Sequence, residues 1–389
     1  MSYQIPSSVP SLEELARRQQ NVITASQLRA RGVPSRVVSE HCRRGGPWQR
    51  LLPRVYLLQT GAPTPEQRMW AALLYAAQNG RETGSREGAV ITGAAALALY
   101  GFTAVPRLPA VTGVQVLVPR QRRLRDAGDV RIQRTARELE AHEVHGLACA
   151  PVARAVADAL REWIDGEAAA EAERAEQCAA EASGTGAGQP ASQPAGQSVS
   201  QSVSPATGPS AGPAVRLEPR ALRSVLREAV AGTAADAQPG CTLAELIAEL
   251  REAHLIEVPR VRAAVDELLA AERESALLSV IELAAAELLP APLVGPELRM
   301  RGGTFVAVPD LYWPQAGVAV EVDSELRCVS EGEQAWVRAG QHRMEYLGVR
   351  VVYLDAERLA GEPAAVAEQL RQTFLVGGAD LVELLLSEG

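Results

Sequence analysis

The sequence predicts a mixed α/β protein made of several domains, and three observations support this prediction. The chain has 389 residues, whereas a single domain usually takes about 100 to 200. Stretches with helical spacing of apolar residues are interspersed with short runs rich in valine and leucine, which are typical of strands. A segment of Ser, Gln, Gly, Pro and Ala, from Gly184 to Pro213, divides the chain and is expected to be a disordered linker.

Composition excludes several classes of protein. No stretch reaches the roughly 18 consecutive apolar residues that a membrane span needs, and residues 1–10 contain no basic segment followed by an apolar one. We therefore expect a cytoplasmic protein without membrane contact. Five cysteines are scattered along the chain and form no Cys-x-x-Cys pair, so neither a disulfide framework nor a zinc site is predicted.

Charge is distributed unevenly along the chain. The net charge is -8, yet residues 1–163 contain 22 arginines against 13 acidic residues and so carry an excess of nine positive charges. The remaining residues must then carry -17. A positive field attracts phosphates, so the sequence predicts that any nucleic acid is contacted first by the front half of the chain.

Residues 1–60 have the pattern of a winged helix-turn-helix. Helices are predicted at 12–19, 24–31 and 35–44, followed by hairpin strands at 48–51 and 55–58. Thr24 or Ser26 can cap the second helix, Gly32-Val33-Pro34 forms the turn, and Ser35 can cap the third. The hairpin would serve as the wing.

Four arginines are the candidate contacts to double-stranded DNA. Arg36, Arg43 and Arg44 lie on the predicted third helix and Arg54 lies at the hairpin tip, where they can reach groove edges and phosphates. The alternative is that these arginines only solvate a small helical domain. A second basic group (Arg120, Arg122, Arg123 and Arg125) falls in a predicted loop between strands at 114–118 and 130–133.

The front half also resembles a known family. The segments VITASQLRARGVPSRVV, LPRVYLL, EQRMWAALLYAA and AVITGAAALALYGF follow one another in an order similar to the N-terminal region of AbiEi-family antitoxins. The similarity covers residues 11–163 and includes Ala150–Asp158. It implies a winged helix followed by a small α/β domain at 61–163, binding to promoter DNA, a cognate toxin protein as partner, and no catalysis by this half.

The back half is predicted to be helical first and mixed afterwards. Residues 164–215 should form a helical extension and the linker, and residues 216–274 a helical connector. Helices are predicted at 218–230, 242–253, 258–288, 333–347 and 363–373, and strands at 297–301, 305–311, 318–322 and 349–354. Residues 275–389 thereby acquire the element order αβββαβα.

Carboxylates are placed at the ends of two of these strands. Asp310 follows Val308-Pro309, and Glu321-Val322-Asp323 closes the run that begins at Gly317. Because side chains alternate along a strand, Glu321 and Asp323 should share one face while Val320 and Val322 enter the core. Two carboxylates on one face suit Mg²⁺, which prefers oxygen ligands. The chain contains no lysine, so Asp323 stands where the lysine of a PD-(D/E)xK nuclease would be.

The segment PDLYWPQAGVAVEVDS, with LGVRVVYL downstream, resembles Vsr-type, mismatch-endonuclease-like domains. The similarity covers residues 275–374 and implies a restriction-endonuclease-like core of the PD-(D/E)xK superfamily. It also implies a catalytic set in which Asp310 and Glu321 hold Mg²⁺, Glu282 completes the shell from the preceding helix, and Asp323 is a further ligand or orients a water.

Some residues depart from that pattern. A histidine would be expected near the position of Cys328, and His342 on the next helix is displaced by one residue. We expect His342 to be a surface residue and Trp313 and Trp336 to be core aromatics. The alternative for Asp310 and Glu321 is an ion pair without metal. Its candidate partners are Arg299, Arg301 and Arg343.

Three functions are compatible with these features. The first is a DNA-binding protein whose nuclease-like domain hydrolyses phosphodiester bonds with Mg²⁺. The second is a non-catalytic, AbiEi-like type IV antitoxin or transcriptional repressor that binds its own promoter and a toxin. The third is an interaction module without a role on DNA, which the acidic back half suggests.

Overall fold

The computed structural model of the chain describes residues 11–77, 88–111, 113–184, 218–232, 240–322, 331–377 and 384–386. Helices and several β-sheets occur together in this part of the chain, which confirms the mixed α/β class. The chain divides into two compact units, Met1–Leu255 and Ile256–Gly389. The division falls within the segment 216–274.

The first unit opens with helices and a small sheet. The helices are α1 (Leu12–Arg18), α2 (Ala25–Ala30) and α3 (Ser35–His41), and the strands are β1 (Val22–Thr24), β2 (Gln49–Leu52) and β3 (Val55–Leu57). The strands form an antiparallel sheet in the order β1-β3-β2. Helices and hairpin lie close to their predicted positions, whereas β1 was not predicted. A strand of three residues is too short to show the alternation that identifies strands from sequence.

The predicted cap of α2 is confirmed, whereas two predictions about α3 are wrong. Thr24 caps α2 as expected, since its Oγ1 accepts from Gln27 N at 3.2 Å while Thr24 N donates to Gln27 Oε1 at 2.9 Å. The cap predicted at Ser35 is wrong, because Pro34 takes the N-cap position of α3. The fixed φ of proline is compatible with this position. The first N–H groups of a helix have no intrahelical acceptor, and proline has no N–H that would need one. In addition, α3 ends at His41 rather than at Arg44.

The rest of the first unit is a sheet covered by helices. Its elements are α4 (Pro65–Ala76), β4 (Val90–Thr92), α5 (Gly93–Leu99), β5 (Val114–Pro119), β6 (Val130–Thr135), β7 (His142–Val144), β8 (Leu147–Cys149), α6 (Val152–Gly184), α7 (Pro219–Ala231) and α8 (Leu243–Glu252). The sheet order is β6-β5-β4-β8-β7. The predicted helical extension is present, since α6 runs to Gly184, while the rest of the predicted linker lies outside the described residues.

The second unit contains a long helix and two sheets. Its elements are α9 (Pro259–Ala286), β9 (Leu293–Val294), β10 (Leu298–Met300), β11 (Phe305–Ala307), β12 (Leu311–Trp313), β13 (Val318–Val322), α10 (Glu331–Tyr346), β14 (Arg350–Leu354), α11 (Ala356–Gly361), α12 (Pro363–Val376) and β15 (Leu384–Leu386). One sheet has the order β14-β13-β12-β9, and the other has the order β11-β10-β15. Strands β13 and β14 are parallel, and the remaining pairs are antiparallel.

The predicted strand 305–311 is in fact two strands. β11 pairs with β10, whereas β12 pairs with β13 and β9. Val308-Pro309-Asp310 separates them, and Pro309 has no N–H to donate to a continuous ladder. The elements that build the four-stranded sheet still follow the order helix, three strands, helix, strand, helix, with the β10–β11 hairpin interposed between β9 and β12.

The four-stranded sheet is covered on both faces. Val320 and Val322 pack with Val280 of α9 in one core, and Ala319 packs with Met344 of α10 in another. This confirms the predicted alternation along β13. Because Glu321 follows Val320 on the strand, its side chain points to the opposite face of the sheet, which is the α10 side.

Candidate functional site

The four arginines predicted to contact DNA are all exposed. Arg36 lies in the first turn of α3, whose Val38 faces the opposite way into a core with Ile23 and Leu28. The apolar side of α3 thereby holds the helix against the domain and leaves Arg36 in solvent.

Arg43 and Arg44 project from a tight turn after α3 and not from the helix itself. Gly45 has a φ of +84°, and a Cβ on Gly46 would lie 2.1 Å from the carbonyl oxygen of His41. Trp48 N donates to that same oxygen at 3.1 Å. The two glycines are therefore required for the chain to reverse here, and this reversal ends α3 three residues early.

Arg54 occupies the tip of the β2–β3 hairpin as predicted. Its φ is +64°, and it follows Pro53, which is the arrangement of a type II turn. The carbonyl oxygen of Arg54 accepts from Ala25 N at 2.9 Å, so the tip is fastened to the start of α2. Glycine is the usual residue at a positive φ, and an arginine there costs about 1–2 kcal/mol.

No side chain of the described residues forms an ion pair or hydrogen bond with the guanidinium groups of Arg36, Arg43, Arg44 or Arg54. Their charges are thus not neutralised by a described neighbour. In the second basic group, by contrast, one guanidinium has a described partner. Arg122 Nη1 donates to the carbonyl oxygen of Ala76 at 2.7 Å. That arginine fastens its loop to the end of α4.

Asp310 and Glu321 are brought together as the sequence predicted. The register pairs Leu311 with Val320, so Asp310 and Glu321 lie opposite each other where β12 begins and β13 ends. Both are buried, with exposures of 0% and 5%. The carboxylate of Glu321 also acts on Tyr353, its neighbour on β14: burial, then Glu345, and then Glu321 raise the pKa of the Tyr353 hydroxyl.

The partner of Asp310 is Arg273 on α9. Asp310 Oδ1 accepts from Arg273 Nε at 2.9 Å and from Arg273 Nη2, while Oδ2 accepts from Val322 N at 2.7 Å. Of the partners that the sequence suggested, Arg299 instead donates to Gly303 O at 2.8 Å, and Arg343 donates to Val306 O at 2.9 Å.

Glu282 does not reach this cluster. It is exposed, whereas Val280 and Ala284 on either side of it are buried. Two residues along a helix correspond to a rotation of about 200°, so Glu282 points away from the sheet. The prediction placed a carboxylate on α9 without fixing which face of the helix is buried.

At Asp310, the described residues form an ion pair where a magnesium ligand was predicted. No group of three His, Cys, Asp or Glu side chains within the described ranges is placed to hold a metal ion. Both oxygens of Asp310 already accept hydrogen bonds, and Arg273 supplies the neighbouring positive charge. The fourth predicted residue, Asp323, and the expected histidine position, Cys328, lie outside the described residues.

The expectations for His342 and Trp313 are confirmed, and the expectation for Trp336 is wrong. His342 is 80% exposed, as expected of a surface histidine. Trp313 is a core residue with 1% exposure, but Trp336 is 59% exposed and stacks on Phe305 with ring centroids 5.8 Å apart. The expectation of a buried Trp336 is therefore wrong, because its ring stacks on the partly exposed Phe305 and does not enter a core.

Comparison with models of known protein families gives no match for this chain, and neither does comparison with curated proteins. Within the described residues, no helix combines the length and the apolar character needed to cross a membrane. The functional interpretation therefore depends on the geometry of the two sites.

Proposed function

We propose that this chain binds double-stranded DNA through a winged helix-turn-helix formed by residues 11–60. The observation that carries the proposal is the position of four exposed arginines without described ion-pair partners on and beside α3 and at the hairpin tip. In a winged helix-turn-helix these are the elements that meet the groove and the phosphate backbone.

Net charge supports assigning DNA contact to the first unit. Residues 1–163 carry nine excess positive charges and residues 164–255 carry -6, so the first unit carries +3. Residues 256–389 contain 11 arginines against 22 acidic residues and carry -11. Phosphates are attracted by the positive residues 1–163 and repelled by residues 256–389. A DNA duplex therefore approaches the front of the chain first.

For the second unit we propose a restriction-endonuclease-like core without hydrolytic activity. The element order around the β14-β13-β12-β9 sheet and the juxtaposition of Asp310 with Glu321 support the core. The Arg273 ion pair and the outward position of Glu282 favour the non-catalytic interpretation. An antitoxin-like repressor is then the function that fits best, and its promoter site and toxin partner remain predictions from the resemblance.

The test is binding of the full chain to a duplex from upstream of its own gene, measured by fluorescence anisotropy across a salt series. Replacing Arg43 and Arg44 together by alanine should weaken binding at least tenfold and reduce the salt slope by about two, since each lost phosphate contact lowers it by about one. The matched control is Arg220→Ala with Arg227→Ala, two exposed arginines of α7.

Equal affinity of the Arg43/Arg44 variant and the wild type would overturn the winged-helix assignment. A cleavage assay on duplex, mismatched and single-stranded DNA with Mg²⁺ or Mn²⁺ addresses the second unit separately. We expect no cleavage. Cleavage that disappears in both Asp310→Ala and Glu321→Ala would refute the non-catalytic proposal and leave DNA binding unaffected.

A further inference from the structure

The side chain of α9 that reaches Asp310 at the start of β12 is a cation, Arg273, and not a carboxylate. Its buried residues recur every three or four positions and include Leu269, Ala276 and Val280. Arg273 follows Leu269 by four residues and precedes Ala276 by three, so it occupies an inward position of the same stripe. The Arg273 side chain is 36% exposed, and its guanidinium reaches Asp310 at the start of β12.

From this geometry we propose that the Arg273 guanidinium takes the place of a divalent cation at Asp310. The site is then a metal-independent clamp that fastens α9 to the start of β12 and the end of β13. The inference concerns the second unit alone and does not depend on DNA binding by the first.

The hydrogen bonds of Asp310 define the clamp. One carboxylate oxygen accepts two donors from Arg273, at the Nε and Nη2 atoms, and the other accepts the backbone N–H of Val322. The carbonyl oxygen of Asp310 accepts from Gly295 N at 2.9 Å. One buried side chain thus connects α9 with β13, while its backbone connects β12 with the residue after β9.

A divalent ion at Asp310 is disfavoured for two physical reasons. It would displace the N–H groups that occupy the carboxylate, and each displaced donor would need a new acceptor in a buried site. It would also stand beside the positive charge of Arg273, which lies at hydrogen-bonding distance from Asp310. Conversely, removing Arg273 leaves a fully buried carboxylate without this cation, which is a costly arrangement.

The first experiment is isothermal titration calorimetry of the full chain with MnCl₂ and with MgCl₂. We expect the wild type and Asp310→Asn to give the same heats, with no saturable binding that depends on Asp310. Saturable Mn²⁺ or Mg²⁺ binding in the wild type that disappears in Asp310→Asn would overturn the inference.

The second experiment is hydrogen exchange, followed by mass spectrometry, on the peptide that contains Val318–Val322. Arg273→Met keeps the aliphatic length but removes the charge, and we expect exchange in β13 to become at least tenfold faster. The control Glu282→Gln changes an exposed carboxylate of the same helix and should leave exchange unchanged. Unchanged protection of β13 in Arg273→Met would contradict the clamp.

A double variant isolates the coupling between the two side chains. In Arg273→Met with Asp310→Asn neither charge remains, so the combined effect on exchange should be smaller than the sum of the single effects. Strictly additive effects would show that the two residues act independently. If Arg273→Met does not fold, Arg273→Lys keeps a cation without the two-pronged donor geometry, and we expect it to protect β13 less than the wild type; full protection would contradict a clamp made by the guanidinium.

Discussion

Burial determines the chemistry of two cysteine thiols in the first unit. Cys149 has an exposure of 0%, and burial raises its pKa to about 12. Burial and the neighbouring Glu245 raise the pKa of Cys241 to about 12 as well. The sequence predicted no disulfide framework, and Cys42, Cys149 and Cys241 are free thiols.

We therefore expect Cys149 and Cys241 to resist iodoacetamide at pH 8, because only about one thiol in 10,000 is ionised four pH units below its pKa. Peptide mass spectrometry after timed labelling measures this, and half-buried Cys42 should react faster. Since the folded pKa lies above the unfolded value, the stability contributed by these thiols falls as the pH rises from about 9 toward 12. Rapid labelling of Cys149 in the native state would contradict the expectation.

Arg273 shows what residue-level prediction missed. Arg273 is visible in the sequence as a charged residue inside the apolar stripe of a helix, but a metal site was predicted here, and arginine is not a metal ligand. The partner of Asp310 is 37 residues away along the chain. Such a pair is fixed by the packing of α9 on the sheet, which no local pattern specifies.

At the scale of elements, the tip of the β2–β3 hairpin is a place where the stability of the fold and the affinity for DNA can be changed separately. Arg54 adopts a positive φ, where a side chain costs about 1–2 kcal/mol, whereas glycine adopts it without strain but loses about 0.5–1 kcal/mol through chain entropy. The two effects partly cancel, and the net difference is about 1 kcal/mol or less. Arginine thus occupies a position at which the fold would tolerate glycine equally well.

We expect Arg54→Gly to leave the free energy of unfolding unchanged within about 1 kcal/mol and to weaken duplex binding. Urea unfolding and fluorescence anisotropy are the two measurements. A variant that binds DNA with wild-type affinity would show that the hairpin tip does not contact phosphate, and a loss of stability well beyond that range would assign Arg54 a structural role.

Element boundaries followed the sequence wherever the signals were local. Thr24, which caps α2, and Pro259, at the start of α9, are local signals of this kind. Strand partners were not predictable in the same way. The runs Phe305–Ala307 and Leu311–Trp313 look continuous, yet they belong to different sheets because their partners come from distant segments.

At the scale of the whole molecule, the chain divides into two compact units. One core of the first unit surrounds Ile23 and Leu28, and one core of the second surrounds Val280, Val320 and Val322. Independent cores unfold independently unless an interface couples them.

Differential scanning calorimetry of the full chain should therefore resolve two transitions. Arg273→Met is expected to shift only one of them, and a cap variant of the first unit, Thr24→Ala, only the other. The Thr24→Ala shift should correspond to about 1 kcal/mol. A single transition whose calorimetric and van't Hoff enthalpies agree would contradict this expectation.

The sequence by itself determined the mixed α/β class, most helix positions, the alternation along β13 and the positions of the exposed arginines. These features depend on apolar periodicity, capping residues and turn residues, which act over a few neighbouring positions. Only the tertiary structure decided that Glu282 faces away from the sheet, that Arg273 binds Asp310 and that α3 ends before Arg43. The first two depend on which side of α9 packs against a sheet assembled from distant segments, and the third on a backbone reversal too tight for any residue but glycine.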